Sequence, residues 1–307
     1  LGTCFLVFLV YLALGRGCGQ SPTHSQSREV KPTPLGQHFD VSRTGTIRGR
    51  VQWEGDLPVV EELISAKNPI RIPRGSGARK RRPNPHRPVI HAQNQGVGSC
   101  VIYLRQVDLN RSRPWDHSPA TVETRQGRMK IYQGESISNV GFVQRGAKLT
   151  LVSRDEWMSS IEVRGASFFR LNFPDPNRPL TLALNHEGLV KLQSGTGRGW
   201  MRTYLFVSEH PYFVRTDENG EFELSQVPDG TYEVVCWHPN WQIKLRDRHH
   251  GTSQVARLFF HDPLIQQREI TVKAGEVTKV NFTLTSPPPP DSSKTLSAGK
   301  ADSPSSP

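Results

Sequence analysis

Four cysteines and eleven histidines are the side chains of this 307-residue sequence best suited to hold a metal or to serve as nucleophile and base. Cys100 and Cys236 each sit inside an apolar run, Cys100-Val-Ile-Tyr-Leu104 and Glu233-Val-Val-Cys236-Trp237. That setting is typical of small buried hydrophobes with inert thiols. A disulfide between them is the alternative, and spacing alone does not decide it. His210 and His238 each precede a proline, while His249, His250 and His261 lie in or beside the segment after Trp241. None of these sets has a recognised ligand spacing on a defined element, so structural or solvated histidines are expected. The chain carries no G-x-S-x-G elbow, no H-E-x-x-H pair and no phosphate-cradling glycine loop. These residues point to binding and away from catalysis. Tyr212, Trp237, His238 and Trp241 crowd around strand ends. Aromatic faces serve sugar and protein contacts, and core packing is the competing role for all four.

The elements that must carry these side chains are strands. With 26 glycines, 24 prolines and 35% hydrophobic residues, the composition favours short strands and many turns over long helices. Ile47, Val51 and Trp53 alternate with polar residues, the period of a half-buried strand. Strand patterns recur at Val101-Ile-Tyr-Leu104, Met129-Lys-Ile-Tyr132 and Lys148-Leu-Thr-Leu-Val152. Trp200-Met-Arg-Thr-Tyr-Leu-Phe-Val207 reads as a strand buried on both faces. Asn219-Gly220 is the preferred pair for a tight hairpin turn, and Val227-Pro-Asp-Gly230 is a second turn. Val280, Phe282 and Leu284 alternate with Asn281 and Thr283 in a closing strand. Short strands joined by such turns indicate antiparallel sandwiches.

Both ends of the chain differ from this body. Residues 4–14 are unbroken apolar sequence, too short for the roughly 20 residues of a membrane span and matching a signal-peptide core. Residues 1–18 are therefore expected to be a signal peptide. Cys18 follows Leu14-Gly15-Arg16-Gly17, similar to a bacterial lipoprotein cleavage box, so lipidation at Cys18 and plain cleavage nearby both stay open. Residues 19–44 are expected to be a linker, and residues 286–307, which open on a proline run, a disordered tail. A basic insertion at residues 71–87 holds Arg74, Arg79, Lys80, Arg81, Arg82 and Arg87 with no interleaved aromatics on which bases could stack. A solvated loop is expected there, and nucleic acid is not expected as a partner. The formal charge of +11 favours anionic partners without choosing among them.

Thr216-Asp-Glu-Asn-Gly-Glu-Phe-Glu-Leu224, the strand through Trp237 and the closing Val272-Lys-Ala-Gly-Glu-Val-Thr-Lys-Val280 resemble the carboxypeptidase-regulatory-like domain. That domain is a transthyretin-like sandwich grouped with carbohydrate-binding-like folds. Upstream, Arg145-Gly-Ala-Lys-Leu-Thr-Leu-Val-Ser-Arg-Asp155, Trp200-Met201 and Glu209-His-Pro-Tyr-Phe213 resemble the cupredoxin-like domains that precede this sandwich in some exported bacterial proteins. The resemblance implies a copper site closed by a His after the first motif, then a Cys, a second His and a Met. Laid on this sequence, those positions hold Ser159, Gly195, Arg198 and Met201, and only Met201 matches. Glycine offers no ligand atom and arginine repels a cation, so the resemblance implies a fold without its metal and without any cofactor.

The expectation is an all-β chain of two antiparallel β-sandwiches, a cupredoxin-like Greek key over residues 45–207 and a regulatory-like sandwich over 208–285. The segment 209–285 is expected to fold by itself. The expected function is that of a non-catalytic, exported binding or scaffold protein of the cell envelope, located in the periplasm, outer envelope or extracellular space. Its partner classes are an envelope polysaccharide, an anionic polymer or a protein. A metal-handling or electron-transfer protein and a carbohydrate-binding module are the alternatives.

Overall fold

Thr44–Glu54 is the axis of a first sheet, with Glu221–Pro228 antiparallel on one side and Val277–Lys279 and Phe282–Thr285 parallel on the other. Its apolar alternation puts Ile47, Val51 and Trp53 on the buried face. The arrangement comes from a computed structural model that describes residues 36–65, 80–248 and 255–288. Sheet II runs in the order Phe213–Arg215, Val101–Arg105, Gly230–His238, Leu264–Val272. Sheet III runs Val140–Gln144, Arg202–Ser208, Gly188–Ser194, Ser159–Gly165, Phe169–Phe173. Sheet IV runs Leu180–Ala183, Lys148–Ser153, Ala120–Arg125, Arg128–Gln133, Ser136–Ser138. The chain is all-β, and most pairings are antiparallel. Sheets III and IV each also contain one parallel pair among the described residues.

Three apolar layers separate the four sheets. Sheets I and II enclose a core containing Ile47, Val51, Phe222, Phe282, Ile102, Leu104 and Val234. Sheets III and IV enclose another containing Ile161, Leu192, Leu205, Val122, Ile131 and Leu151. Between them lies an aromatic seam in which Val101, Phe213 and Trp237 of sheet II meet Val140, Phe142, Tyr204 and Phe206 of sheet III. Alternation in Arg202–Ser208 explains how one strand serves two cores: Tyr204 and Phe206 enter the seam while Leu205 and Val207 enter the sheet III–IV core. The strand is buried along its whole length, as its apolar run implies.

The sheets are not divided at residue 207. Thr44–Glu54, expected in the first unit, is the axis of a sheet whose other strands all follow residue 220. Val101–Arg105 lies between Phe213–Arg215 and Gly230–His238 in sheet II. The chain therefore leaves sheet II after residue 105, builds sheets III and IV, and returns to the same sheet at residue 213. Period-2 alternation reports which face of a strand is buried but not which strand it pairs with.

Three local expectations are corrected as well. Residues 36–43 are hydrogen-bonded to the body and not free linker, though mostly exposed: Gly36 and His38 donate backbone N–H bonds to Leu109 and Asn110, and Asp40 caps a short 3-10 turn. In the basic insertion, Asn84 and His86 are buried beneath the seam, because Asn84 Nδ2 donates to the Trp241 carbonyl and His86 binds the Asn240 carbonyl. Asn219-Gly220 does form a turn, but it joins sheet II to sheet I and not two strands of a hairpin. Only Gly220 has positive φ, +78°, and a Cβ on it would stand 2.3 Å from the Val51 carbonyl oxygen. Residues 1–35, most of the basic insertion, His249, His250 and residues 289–307 lie outside the described residues, so the signal peptide, Cys18 and the tail do too.

A fragment of residues 209–288 lacks the axial strand of sheet I and an inner strand of sheet II. It is expected to show no cooperative urea transition by circular dichroism, whereas the intact chain shows one. A sigmoidal transition in the fragment would mean that those two strands are dispensable.

Candidate functional site

The four copper-ligand positions lie at one end of sheet III. Ser194 pairs with Ile161, which brings the turn of residues 195–200 against Ser159 and Ser160. Gly195 N–H donates to the Ser160 carbonyl at 2.8 Å and Met201 N–H to the Arg198 carbonyl at 2.9 Å. Met201 is part of the sheet III–IV core. Arg198 lays its guanidinium over Trp157, 4.9 Å from the ring centre, and donates to Thr196 Oγ1 at 3.3 Å. Burial lowers its pKa, with Asp155 opposing the shift and Arg82 adding to it. Arginine stays protonated, so a fixed cation occupies the end where a metal ion would bind. Ser159 Oγ is buried without a hydrogen-bond partner. A serine, a glycine, an arginine and a core methionine do not fit a copper ion. The thiols of Cys100 and Cys236 are free and belong to the other core, between sheets I and II. Burial pushes the Cys100 thiol well above its ordinary pKa, helped by its contact with Cys236. Among the described residues, no group of three or more His, Cys, Asp or Glu side chains is placed to hold a metal.

The four aromatic positions singled out from the sequence are interior. Tyr212 and Trp241 belong to the sheet I–II core and Trp237 to the seam, while His238 is 3% exposed. Tyr212 Oη donates to the Gln226 carbonyl at 3.0 Å and accepts from Arg113 N–H at 3.0 Å. Packing therefore explains Tyr212, His238 and Trp241 as they stand, and they offer no free ring face to a ligand.

Sequence reasoning missed His86 and His117, which with His210 and His238 gather around the seam. The Asn240 carbonyl can only accept, so His86 Nδ1 carries its proton and donates there at 2.7 Å. Nε2 then accepts from Tyr204 Oη at 2.8 Å. His117 Nε2 donates to the Pro211 carbonyl at 2.8 Å, with its ring 5.0 Å from that of Phe142. His210 stacks on Phe213 at 5.2 Å, and His238 meets Trp241 edge-on. Burial lowers all four pKa values, His210 and His238 to about 4. No signal in the sequence separated these from solvated histidines.

A groove of about 780 Å³ opens along one border of the seam. Tyr103, Leu189, Phe206, Phe213 and Trp237 form its apolar wall, with Arg105, Lys191, Glu187 and Ile265 at the rim. Most of its charged groups are committed. Arg105 donates to Glu233 and Gln267, Glu209 pairs with Arg145, and Glu187 accepts from Glu209 N–H at 2.7 Å. His210 Nδ1 accepts from Tyr212 N–H at 3.4 Å. These bonds fix the shape of the wall and leave no nucleophile beside a free base. Lys191 and the apolar wall remain for a ligand.

No protein-family model matches the chain, and no curated protein matches it. Among solved structures, a reduced amicyanin with a proline-to-phenylalanine substitution and an oxidised amicyanin with a proline-to-glycine substitution are each 16% identical. They cover 29% and 31% of this chain and 81% and 95% of their own, at a TM-score of 0.23 in both cases. Likeness at that level carries no argument. The all-β architecture rests on the strand pairings themselves.

Copper(II) titrated into reduced protein is expected to give no intense thiolate-to-copper band in the visible spectrum. Introducing one ligand, as in Gly195→Cys, is expected to be insufficient while Arg198 remains. Stoichiometric binding with strong colour in the unmodified protein would overturn this.

Stability is expected to fall in acid. The folded chain keeps His238 and His210 neutral down to about pH 4, whereas the unfolded chain takes up their protons near pH 6.5. The cost is absent above pH 6.5, grows as pH falls and is complete near pH 4, at roughly 3 kcal/mol for the buried His238. Urea midpoints measured across this window should decline with pH, and less so for His238→Asn. A flat profile would show that these rings reach water.

Proposed function

We propose that the chain is an exported, non-catalytic binding protein of the cell envelope, a metal-free cupredoxin-like unit set into a carboxypeptidase-regulatory-like one, and that its ligand sits in the groove along the seam. The observation that carries this reading is the groove's division of labour. Its ionisable groups brace one another, while its apolar wall and Lys191 stay available. A preformed apolar cleft with a few placed polar groups is the usual form of a ligand site. An envelope polysaccharide fragment is the favoured ligand class, since rings and aliphatic edges contact sugar C–H faces while rim cations select acid-bearing units. The electron-transfer alternative is not favoured, because Arg198 stands where its metal would bind.

Neutral and acidic oligosaccharides cut from envelope polysaccharide can be titrated calorimetrically. Leu189→Asp and Ile265→Asp are expected to weaken binding about tenfold or more, since each introduces an unpaired charge on the apolar wall or rim. Arg198→Gln is expected to leave it unchanged. Undiminished binding by both groove variants would remove the groove as the site, and turnover of the oligosaccharides would end the non-catalytic reading.

A further inference from the structure

Beyond the groove, sheet III carries a second set of polar side chains. Register places Arg170, Glu162, Gln193 and Arg202 in one row across four strands, and Arg164 beside Lys191 in the next. Arg257 joins them from the hairpin Ile243–Arg248 with Val255–Phe260, which is held over the row by an Arg202 Nη2 bond to the Leu258 carbonyl at 2.7 Å. Three guanidiniums, those of Arg164, Arg170 and Arg257, thus converge on one carboxylate, that of Glu162, with Arg202 and Lys191 beside them in register. Glu162 Oε1 pairs with Arg164 at 2.6 Å and lies 3.6 Å from Arg170 and 3.9 Å from Arg257, while Oε2 accepts from Gln193 at 2.8 Å. One negative charge cannot neutralise this set. The side chains of Arg164, Arg170 and Arg257 keep 43%, 50% and 43% of their surface in solvent. Asp247, across the hairpin from Arg257, makes no ion pair with it within 4 Å.

Two buried polar atoms on this face lack partners. Ser160 Oγ has none although the residue is only 5% exposed, and Arg202 Nε has none either. Ser160 lies on the same face as Glu162, one row along, opposite Gly195. A Cβ at Gly195 would stand 2.6 Å from Ser160 Oγ and 3.6 Å from Arg170 Nε, so the Ser160 side chain fills the space over Gly195 and Arg170 borders it. Phe168 is 75% exposed, with the Arg164 guanidinium 5.3 Å from its ring.

We propose that this face binds a sulfated or carboxylated polysaccharide, whose acid groups are held by Arg164, Arg170, Arg257 and Lys191. Guanidinium forks match planar or tetrahedral oxyanions bidentately, and the requirement for several such groups at once selects a polymer over a single small anion. One exposed ring suits a sugar face, whereas single-stranded nucleic acid is held by successive rings. The proposal goes beyond the groove reading, since among its groups only Lys191 also lines the groove.

The probe is a heparin-type dodecasaccharide, titrated at about 0.1 M salt, where exposed charges still act over about 10 Å. Arg164→Gln with Arg170→Gln is expected to weaken binding about tenfold or more. Arg128→Gln with Lys279→Gln removes the same charge from sheets IV and I, and is expected to cost less than about threefold. Should the first double variant shift the urea midpoint, Lys191→Gln with Arg257→Gln provides the same reading without touching Glu162's shortest ion pair. Leu189→Asp, which disables the groove, should leave dodecasaccharide binding intact, so that failure of one site is distinguishable from failure of the other. Equal losses in the two double variants, no binding by the unmodified chain, or equal affinity for a single-stranded DNA of matched charge would each overturn the proposal.

Discussion

Trp237 meets Tyr204 and Phe206 edge to face, each at 5.2 Å between ring centres, and this contact ties the two halves of the molecule together. Such pairs are worth about 0.5–1.5 kcal/mol each beyond the apolar area they bury. Their larger consequence is a constraint on sequence. A sheet that packs on both faces cannot spare alternate positions for polar residues, so Arg202–Ser208 is buried along its whole length and Val234–His238 and Val101–Ile102 along runs of consecutive residues. Polar side chains return where the seam ends. In sheet III the seam is formed by Val140–Gln144 and Arg202–Ser208 with Leu189 at the border, and the strands beyond it carry Arg164, Arg170 and Glu162. The groove marks the boundary between these two regimes.

What the sequence disclosed follows from the range of each interaction. Alternation at Ile47, Val51 and Trp53 depends on residues two apart, so the buried face was legible. Turn chemistry at Asn219-Gly220 depends on four residues, so the turn was legible as well, though the strands it joins were not. The pairing of Ile47 with Leu224 and of Tyr103 with Phe213 depends on residues more than a hundred positions away. Nothing local encodes it, and for that reason the insertion of sheets III and IV into sheet II was missed. Tyr212 and Trp237 were ambiguous for a related reason: an aromatic ring at a strand end is equally compatible with a core and a ligand face until the opposing sheet is known. The arginine face escaped notice because Arg164, Arg170, Lys191, Arg202 and Arg257 are scattered in sequence and become neighbours only through strand register.

At the end of sheet III where the resemblance placed copper ligands, the side chains serve the fold. The sheet III–IV core closes on Met129, Ile131, Leu151, Ile161 and Leu205, and Met201 joins it as a packing residue. Arg198 takes a cation–π contact with Trp157 and sits beside Asp155. Gly195 contributes only its backbone N–H, and the Ser159 hydroxyl is buried and unpartnered. A buried hydroxyl without a partner costs of order 1–3 kcal/mol, small against the apolar surface that this core buries.

Charge and acidity act on different parts of this architecture. Burial alone would raise the pKa of Glu162, but hydrogen bonds from Arg164 and Gln193 and the surrounding guanidiniums more than offset it and hold the carboxyl ionised. Arginines do not titrate in any range relevant to a folded protein. The charge of the arginine face is therefore constant from neutral pH down through the window in which the seam histidines gain protons in the unfolded chain. Acid weakens the scaffold through His86, His117, His210 and His238 while leaving the electrostatics of this face unchanged. A polyanion bound across sheet III and the Arg257 hairpin would stabilise the folded form by mass action over the same window. Such a ligand would act chiefly through Arg164, Arg170 and Arg257, which lie beyond the seam, whereas Arg202 and Lys191 also bear on His86 and add to the lowering of its pKa by burial.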